Sequence, residues 1–232
     1  MNDPNNPSIE PPAEKEPTSL VLVFALSLAG FISGLSIISV YEATLPTIEA
    51  NKARELREAV FKVLPGVEQM QKLEYDGQRV QVIDGKGKAD DTIYGGYDKD
   101  GHFIGYAIPS AGPGFQDTVS VLYGYLPDKR RVVGMQILDS RETPGLGDKI
   151  YKDADFVANF EDLAVDPMIK AVKKGTKSAP NEIDAITGAT ISSKAVVRII
   201  NEGREHWEKR LPFPGTESVL VVPDKTAAGE GT

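Results

Sequence analysis

The sequence contains no cysteine and only two histidines among its 232 residues. Without thiolates the chain cannot form disulfides, bind zinc through sulfur or ligate an iron–sulfur cluster. Neither histidine stands in a haem-attachment sequence: His102 follows a turn sequence, and His206 falls late in a predicted helix. Any redox chemistry of this chain is therefore expected to depend on a bound organic cofactor.

Basic residues are outnumbered by acidic ones. Lysine and arginine together number 26 against 34 acidic residues, which gives a formal net charge of −8. A nucleic-acid partner requires a clustered basic surface that replaces phosphate counterions. The basic runs in this chain are short and bracketed by turn residues, so we expect no nucleic-acid binding.

One long stretch near the N terminus, residues 19–41, contains no charged residue. Residues 1–18 are rich in Pro, Asn and Glu and are predicted to be disordered. The apolar residues 19–41 follow, and at ~1.5 Å per residue they reach about 34 Å, enough to cross a hydrocarbon core of ~30 Å. We predict a transmembrane helix in the lipid bilayer. We do not expect a cleaved signal peptide, because the N-terminal residues are acidic, the apolar stretch is too long and no small-x-small cleavage site follows it.

Two kinds of periodicity follow the apolar stretch. Residues 47–64 have the spacing of an amphipathic helix that ends at Pro65 and Gly66. The centre of the chain predicts strands at residues 80–83, 92–97, 102–108, 118–125 and 132–138. Their short connections indicate an antiparallel sheet with flanking helices, and thus an α+β domain over residues 45–211.

The C-terminal part of the chain gives two further predictions. Residues 153–160 are predicted to form a short helix, and residues 212–232 a flexible tail.

The run Asp-Ala-Ile-Thr-Gly-Ala-Thr at residues 184–190 precedes a helical pattern that includes Val196, Ile199 and Trp207. A helix is therefore predicted to begin close to Thr190. Unpaired backbone N–H groups and the positive end of the helix dipole favour an anion at such a start. The run thus predicts a place for a phosphate group, and a plain loop with a helix cap is the alternative.

This run resembles the flavinylation motif Asp-x-x-Ser/Thr-Gly-Ala-Thr of two families of FMN-binding domains. They are the family of the Rnf-complex G subunit and that of the C subunit of Na⁺-translocating NADH:quinone reductase (Nqr). The resemblance implies that Thr190 carries FMN through a phosphoester bond made by a separate flavin transferase. It also implies that this enzyme recognises Asp184, Thr187, Gly188 and Ala189.

A second segment, at residues 142–147, matches the same families. The resemblance makes it a loop beside the flavin, with cofactor-binding candidates Glu142, Thr143, Gly145, Leu146 and Gly147. Its proline and glycine residues form a turn whose backbone N–H groups could face a ligand, although most such turns only join two elements.

A small, glycine-rich stretch at residues 110–115 resembles the glycine-rich loop of these flavin domains. Gly112 and Gly114 are therefore further candidates for the flavin site, while a structural turn explains them about as well. No residue is predicted to act as a catalyst or to bind a metal.

The resemblance covers residues 45–211 and lies closer to the Rnf family than to the Nqr family. It implies a membrane-anchored electron carrier with covalent FMN in an ion-translocating, Rnf-type ferredoxin:NAD⁺ oxidoreductase, whose other membrane and peripheral subunits would be its partners. The alternatives are an Nqr-type C subunit, a stand-alone extracytoplasmic flavin carrier and an adaptor without a cofactor.

The side of the membrane is predicted differently by two criteria. Lys52, Arg54, Arg57 and Lys62 follow the apolar stretch, and the positive-inside rule would place the domain in the cytoplasm. The family resemblance instead implies the extracytoplasmic face of a bacterial or archaeal cytoplasmic membrane. We follow the resemblance, because charges on a long folded domain are weak determinants of topology.

Overall fold

A computed structural model describes residues 18–85 and 87–217. Residues 1–17 of the predicted disordered segment and residues 218–232 of the predicted flexible tail lie outside the described residues. The chain divides into two compact units, Met1–Lys52 and Ala53–Thr232. The division falls a few residues after the domain boundary expected at residue 45.

Helix α1, Ser19–Val63, joins the two predicted helical segments into one. It is the one helix in the described part of the chain that is long and apolar enough to cross a bilayer. Its N-terminal part exposes apolar side chains such as Leu20, Phe24 and Phe31, as a lipid-facing helix does. Pro46 lies inside the helix, where it lacks one backbone N–H but does not end the helical run.

In the described residues, the second unit contains nine strands, three further α-helices and a short 3-10 helix, Ala89–Asp91. The strands are β1 Gln69–Tyr75, β2 Val80–Val82, β3 Thr92–Tyr97, β4 Phe103–Pro113, β5 Thr118–Leu126, β6 Arg131–Ser140, β7 Leu163–Ala164, β8 Lys170–Val172 and β9 Glu182–Asp184. Strands β1 to β7 form one antiparallel sheet in the order β2-β1-β3-β4-β5-β6-β7, and β8 pairs with β9 in parallel. The helices are α2 Lys149–Lys152, α3 Ala154–Ala158 and α4 Thr190–Glu208. The predicted α+β class is confirmed.

All five predicted strands are present, with ends that differ by a few residues. The sequence missed β1, which pairs with both β2 and β3, because polar residues dominate it and Gln71 shares its buried positions with Leu73. It also missed β7, β8 and β9, whose two or three residues are too few for a periodic signal.

The glycine-rich stretch at residues 110–115 is mostly strand, which corrects the expectation of a loop there. Its first four residues form the end of β4, and the pairing with β5 continues as far as Pro113 opposite Thr118. A Cβ on Gly112 would lie 2.9 Å from Cγ1 of Ile199. Gly112 therefore keeps β4 close to α4, and the loop itself begins only at Gly114.

The two faces of the large sheet pack against different helices. Helix α4 covers one face, where Ile199 and Trp207 are buried in the main core, and the end of α1 covers the other. Gly124 and Gly134 lie opposite each other on β5 and β6, and their Cβ atoms would fall 1.9 and 2.6 Å from the carbonyl oxygen of Val63. Only glycine allows the helix end to approach these two strands so closely.

Candidate flavin-attachment site

Helix α4 begins at Thr190, the residue predicted from the sequence. Gly188 turns the chain before it with a φ of +84°, and no atom lies within 4 Å of the position a Cβ would take there. Thr187, Gly188 and Thr190 are exposed, while Ala189 is buried. The hydroxyl oxygen of Thr190 makes one long hydrogen bond, 3.4 Å to the carbonyl oxygen of Ile186.

The start of α4 has no side-chain cap, because the preceding residue is Ala189. The first hydrogen bond of the helix joins Ser193 N to Ala189 O at 2.9 Å. In the described part of the chain, the backbone N–H groups of Thr190, Ile191 and Ser192 have no acceptor. Unpaired N–H groups and the positive end of a 19-residue helix form a setting that suits a phosphate.

Ser193 holds the turn before the helix in place. Its buried hydroxyl donates to Ala189 O at 2.9 Å and accepts from Ile186 N at 3.0 Å. Residues on the buried side of α4 anchor the helix behind it, since Val196 and Ile200 are fully buried. Thr190 is thus exposed at the end of a firmly packed element.

Glu142 joins this helix start to two loops. One carboxylate oxygen accepts hydrogen bonds from Phe115 N at 2.7 Å and Gln116 N at 3.0 Å, in the loop between β4 and β5. The other accepts from the hydroxyl of Ser192 at 2.6 Å, in the first turn of α4. We call Glu142, Phe115, Gln116 and Ser192 the Glu142 junction. It brings together segments that are far apart in the sequence.

Two glycines enclose the carboxylate of the Glu142 junction. A Cβ on Gly114 would lie 2.3 Å from Oε1 of Glu142, and one on Gly147 would lie 2.4 Å from Oε2. Because side chains cannot fit at either position, the loops on both sides close over the carboxylate. Only 5% of the surface of Glu142 is exposed.

Glu142 is held in its charged form. Burial alone raises the pKa of its carboxyl group, but the hydrogen bonds from Ser192, Gln116 and Phe115 outweigh burial and keep that pKa below the ordinary value of 4.5. A buried carboxylate therefore lies beside the positive end of α4, where negative charge is favoured.

Residues 143–146, between the buried Glu142 and Gly147, face outward. Thr143 donates its hydroxyl to the side-chain oxygen of Gln116 at 2.8 Å, and Gly145 has a φ of +78°. The next side chain, Leu146, is 51% exposed. Of the five candidates predicted in this loop, Glu142 and Gly147 are buried, and the other three lie toward the surface.

Exposed apolar side chains stand on all three segments that meet at the Glu142 junction. They are Phe115, Leu146 and Ile191, with 62%, 51% and 59% of their surfaces exposed. Because Glu142 joins the three segments, these side chains are candidates to contact an apolar, planar group held at the helix start. The donors at the start of α4 and these apolar side chains are of the types that FMN requires, since FMN has an anionic phosphate and a flat ring system.

Asp184 lies outside the Glu142 junction. Its carboxylate accepts from Gly175 N at 2.8 Å, in the loop between β8 and β9, and its own N–H donates to the side chain of Asn159 at 3.1 Å. Glu182 binds the same loop by accepting from Ser178 and Ala179. Asp184 therefore fixes the segment that leads into residues 185–190.

The sequence places Phe115 at the end of the glycine-rich stretch but does not single it out, and it does not predict Ile191 or Ser192 as site residues. Ser192 follows Thr190 by two positions, but its partner Glu142 stands 50 positions earlier in the sequence. Phe115 and Ile191 are apolar and could equally have belonged to the core. Only the folded chain shows that they are exposed and close to the motif residues.

The comparisons with known proteins point to the same cofactor. Residues 114–205 match the family model of the FMN-binding domain, a range that includes the Glu142 junction and Thr190. The fold is similar to that of NqrC from Shewanella oneidensis, with a TM-score of 0.56 and 18% identity over 69% of this chain and 97% of that one.

Two relatives match most of the chain. The G subunit of the proton-translocating ferredoxin:NAD(+) oxidoreductase complex of Clostridium ljungdahlii is 31% identical over 78% of this chain and 86% of its own length. The G subunit of an ion-translocating oxidoreductase complex of Methanosarcina acetivorans is 28% identical over 83% and 95%, respectively. With the FMN-binding domain and the fold, these similarities show that the chain belongs to the family of G subunits of ion-translocating ferredoxin:NAD⁺ oxidoreductases, the Rnf complexes.

Proposed function

We propose that this chain is the membrane-anchored electron-transfer subunit of an Rnf-type ferredoxin:NAD⁺ oxidoreductase and that it carries FMN on Thr190 through a phosphoester bond. The observation that carries the attachment is an exposed threonine at an uncapped helix start within a complete Asp-x-x-Thr-Gly-Ala-Thr motif. Family membership supports the assignment to an Rnf-type complex, and the match to the FMN-binding domain supports FMN as the cofactor.

Bound FMN supplies the redox chemistry, for which the side chains of this protein have no substitute. The chain has no cysteine to ligate an iron–sulfur cluster. Its own residues act by holding the cofactor: Thr190 provides the covalent oxygen, and the N–H groups of Ile191 and Ser192 can donate to the phosphate. Phe115 and Leu146 provide apolar contact area beside it.

The anchor and the partners belong to the same proposal. Helix α1 crosses the membrane once and places the flavin domain on the extracytoplasmic face, where a dissociated FMN could not be replaced from a cytoplasmic pool. A covalent bond prevents that loss. A separate flavin transferase makes it with FAD as donor: the Thr190 oxygen bonds to the phosphorus of the FMN half and loses its proton, the pyrophosphate bond breaks, and AMP leaves. A reporter enzyme fused after Leu211 tests the orientation, because activity confined to the extracytoplasmic side is expected and cytoplasmic activity would reverse it.

The attachment is tested with the full chain produced together with a flavin transferase and denatured on a gel. Wild-type protein should retain flavin fluorescence, whereas Thr190→Val should lose it because no oxygen remains to form the ester. Thr176→Val is the matched control, since it removes an exposed hydroxyl in the loop between β8 and β9, outside the Glu142 junction, and should keep the bound flavin. Covalent fluorescence that persists in Thr190→Val would refute the assignment.

The assembly is tested by purification from membranes in mild detergent. We expect the other membrane and peripheral subunits of an Rnf complex to accompany the chain. Co-purification with the subunits of a Na⁺-translocating NADH:quinone reductase would instead assign it to that complex, whose NqrC protein has a similar fold. A chain that purifies alone would act as an isolated flavin carrier.

A further inference from the structure

We propose that Glu142 is a positioning residue for the flavin-bearing threonine: it ties the first turn of α4 to the adjoining loops and keeps a fixed negative charge beside Thr190. This inference rests on the proposed attachment of FMN to Thr190. It changes the expected role of Glu142 from a residue that contacts the flavin to one that acts through the helix start.

The contacts of Glu142 leave it little capacity for a ligand. Its two oxygens already accept three hydrogen bonds of 2.6 to 3.0 Å, from Phe115 N, Gln116 N and the hydroxyl of Ser192. Gly114 and Gly147 close the space around both oxygens. With 5% of its surface exposed, Glu142 is directed at the protein itself and not at a bound group.

The bond to Ser192 is what connects Glu142 to the attachment point. Ser192 lies two positions after Thr190, in the same first turn of α4. Because Phe115 and Gln116 are held by the same carboxylate, the position of Thr190 is fixed relative to the loop between β4 and β5. Further along the helix, Arg198 donates to Pro113 O and adds a second link to the same region.

The charge of Glu142 has its own consequence. Hydrogen bonds keep the pKa of this carboxyl group below its ordinary value, so the group is ionised at neutral pH. A phosphoester on Thr190 would share the positive end of α4 with this carboxylate. The attraction between the helix end and a free phosphate is therefore weakened by a like charge, and covalent attachment retains a cofactor that electrostatics alone would hold less well.

Two variants separate position from charge. Glu142→Gln keeps the shape and can keep the hydrogen bonds, because its amide oxygen can accept from Phe115 N and Gln116 N while its amide nitrogen donates to Ser192. Ser192→Ala keeps the charge but removes the link to the helix. Glu182→Gln is the matched control, since Glu182 also binds two backbone N–H groups and a serine hydroxyl but lies away from the junction.

Two measurements on the full chain in detergent are required. The first is amide hydrogen exchange of residues 193–196 in protein without flavin, because Ser193 is the first residue of α4 whose N–H is hydrogen-bonded. Ser192→Ala should accelerate this exchange about tenfold, and the two glutamine variants should leave it nearly unchanged. The second is the midpoint potential of the attached flavin, which Glu142→Gln should make more positive because reduction no longer adds negative charge beside a carboxylate. Glu182→Gln should not move it.

The positioning role is overturned if exchange in Ser192→Ala equals that of the wild type, and the charge role if the potential in Glu142→Gln is unchanged. The exchange experiment uses no flavin and therefore tests the position of the helix start even if Thr190 is not the attachment residue. Loss of the attachment itself is reported separately by the denaturing gel on Thr190→Val. A failure of this inference can thus be distinguished from a failure of the proposed function.

Discussion

Glu142 and Glu182 use the same chemistry in two regions of the domain with different results. Each carboxylate accepts hydrogen bonds from two backbone N–H groups and one serine hydroxyl. The partners of Glu182 lie three and four positions away, whereas those of Glu142 lie 26, 27 and 50 positions away. Glu182 therefore shapes its own loop, and Glu142 holds separate parts of the fold together.

Burial separates the two regions as well. Glu142 is 5% exposed and enclosed by Gly114 and Gly147, while Glu182 lies in a partly exposed strand next to the loop that it binds. Donors that lose their acceptor in a buried site remain without a partner, but donors in an exposed loop can turn to water. The same substitution should therefore have unequal effects in the two places.

The largest effect is expected from truncating the buried carboxylate. Glu142→Ala leaves three donors of the junction without their acceptor and should lower the free energy of unfolding by about 3 kcal/mol. Glu182→Ala should have a much smaller effect. Denaturant titration of flavin-free protein, followed by the fluorescence of Trp207, measures both, because Trp207 is the only tryptophan and is 2% exposed. If Glu142→Ala and Glu182→Ala lowered the free energy of unfolding by the same amount, burial would not make the two carboxylates differ.

A smaller difference in unfolding free energy is expected between alanine substitutions at two glycines, one in each region. Gly147→Ala would place a Cβ 2.4 Å from Oε2 and 2.7 Å from Cβ of Glu142, and overpacking of this kind costs about 1–3 kcal/mol. Gly175, in the Glu182 region, has a φ of +80° and open space around it. Gly175→Ala should therefore cost only the strain of its backbone, about 1–2 kcal/mol. Denaturant titration of the two variants compares these costs.

The two glycine variants also differ in a second observable. Gly147→Ala should additionally accelerate amide exchange at residues 193–196, since it displaces the carboxylate that binds Ser192. Gly175→Ala should leave exchange there unchanged. A Gly147→Ala protein with wild-type exchange at the helix start would mean that the loop can shift without moving α4.

The smallest effect concerns pH. The folded-state pKa of Glu142 lies below the ordinary value of 4.5, so its ionisation stabilises the fold above that pH, and this contribution is lost as the pH falls through the folded-state pKa. The difference in unfolding free energy between wild type and Glu142→Gln should be constant from about pH 6 to 8 and shrink below about pH 4.5. A difference that grows in acid would contradict the depressed pKa.

Much of the fold followed from patterns that are local in sequence. The apolar run predicted the start of α1, turn residues separated the five predicted strands, and the spacing of Val196, Ile199 and Trp207 predicted α4. The missed elements lacked such a pattern. Strand β1 is mostly polar. The end of β4 has the small residues and prolines that are typical of a loop, and only its pairing with β5 makes it a strand.

The candidate site, like the fold, could be predicted only where its residues are neighbours in the sequence. The motif at residues 184–190 was readable in one stretch, and the structure places its Thr190 at the start of α4. The loop at residues 142–147 was also recognised, but the contacts of its first residue were not. A sequence shows that Glu142 is acidic, while its partners depend on where the chain returns.

Local sequence and composition were enough to specify an apolar helix near the N terminus, an α+β domain, the lack of thiolate chemistry and a threonine at the start of a helix. Each of these depends on residues that are neighbours in the chain or on how often a residue type occurs. The meeting of Glu142, Phe115 and Ser192 required the folded chain, because hydrogen bonds between distant segments follow from how the sheet and α4 pack. That packing determines which carboxylate is buried beside Thr190.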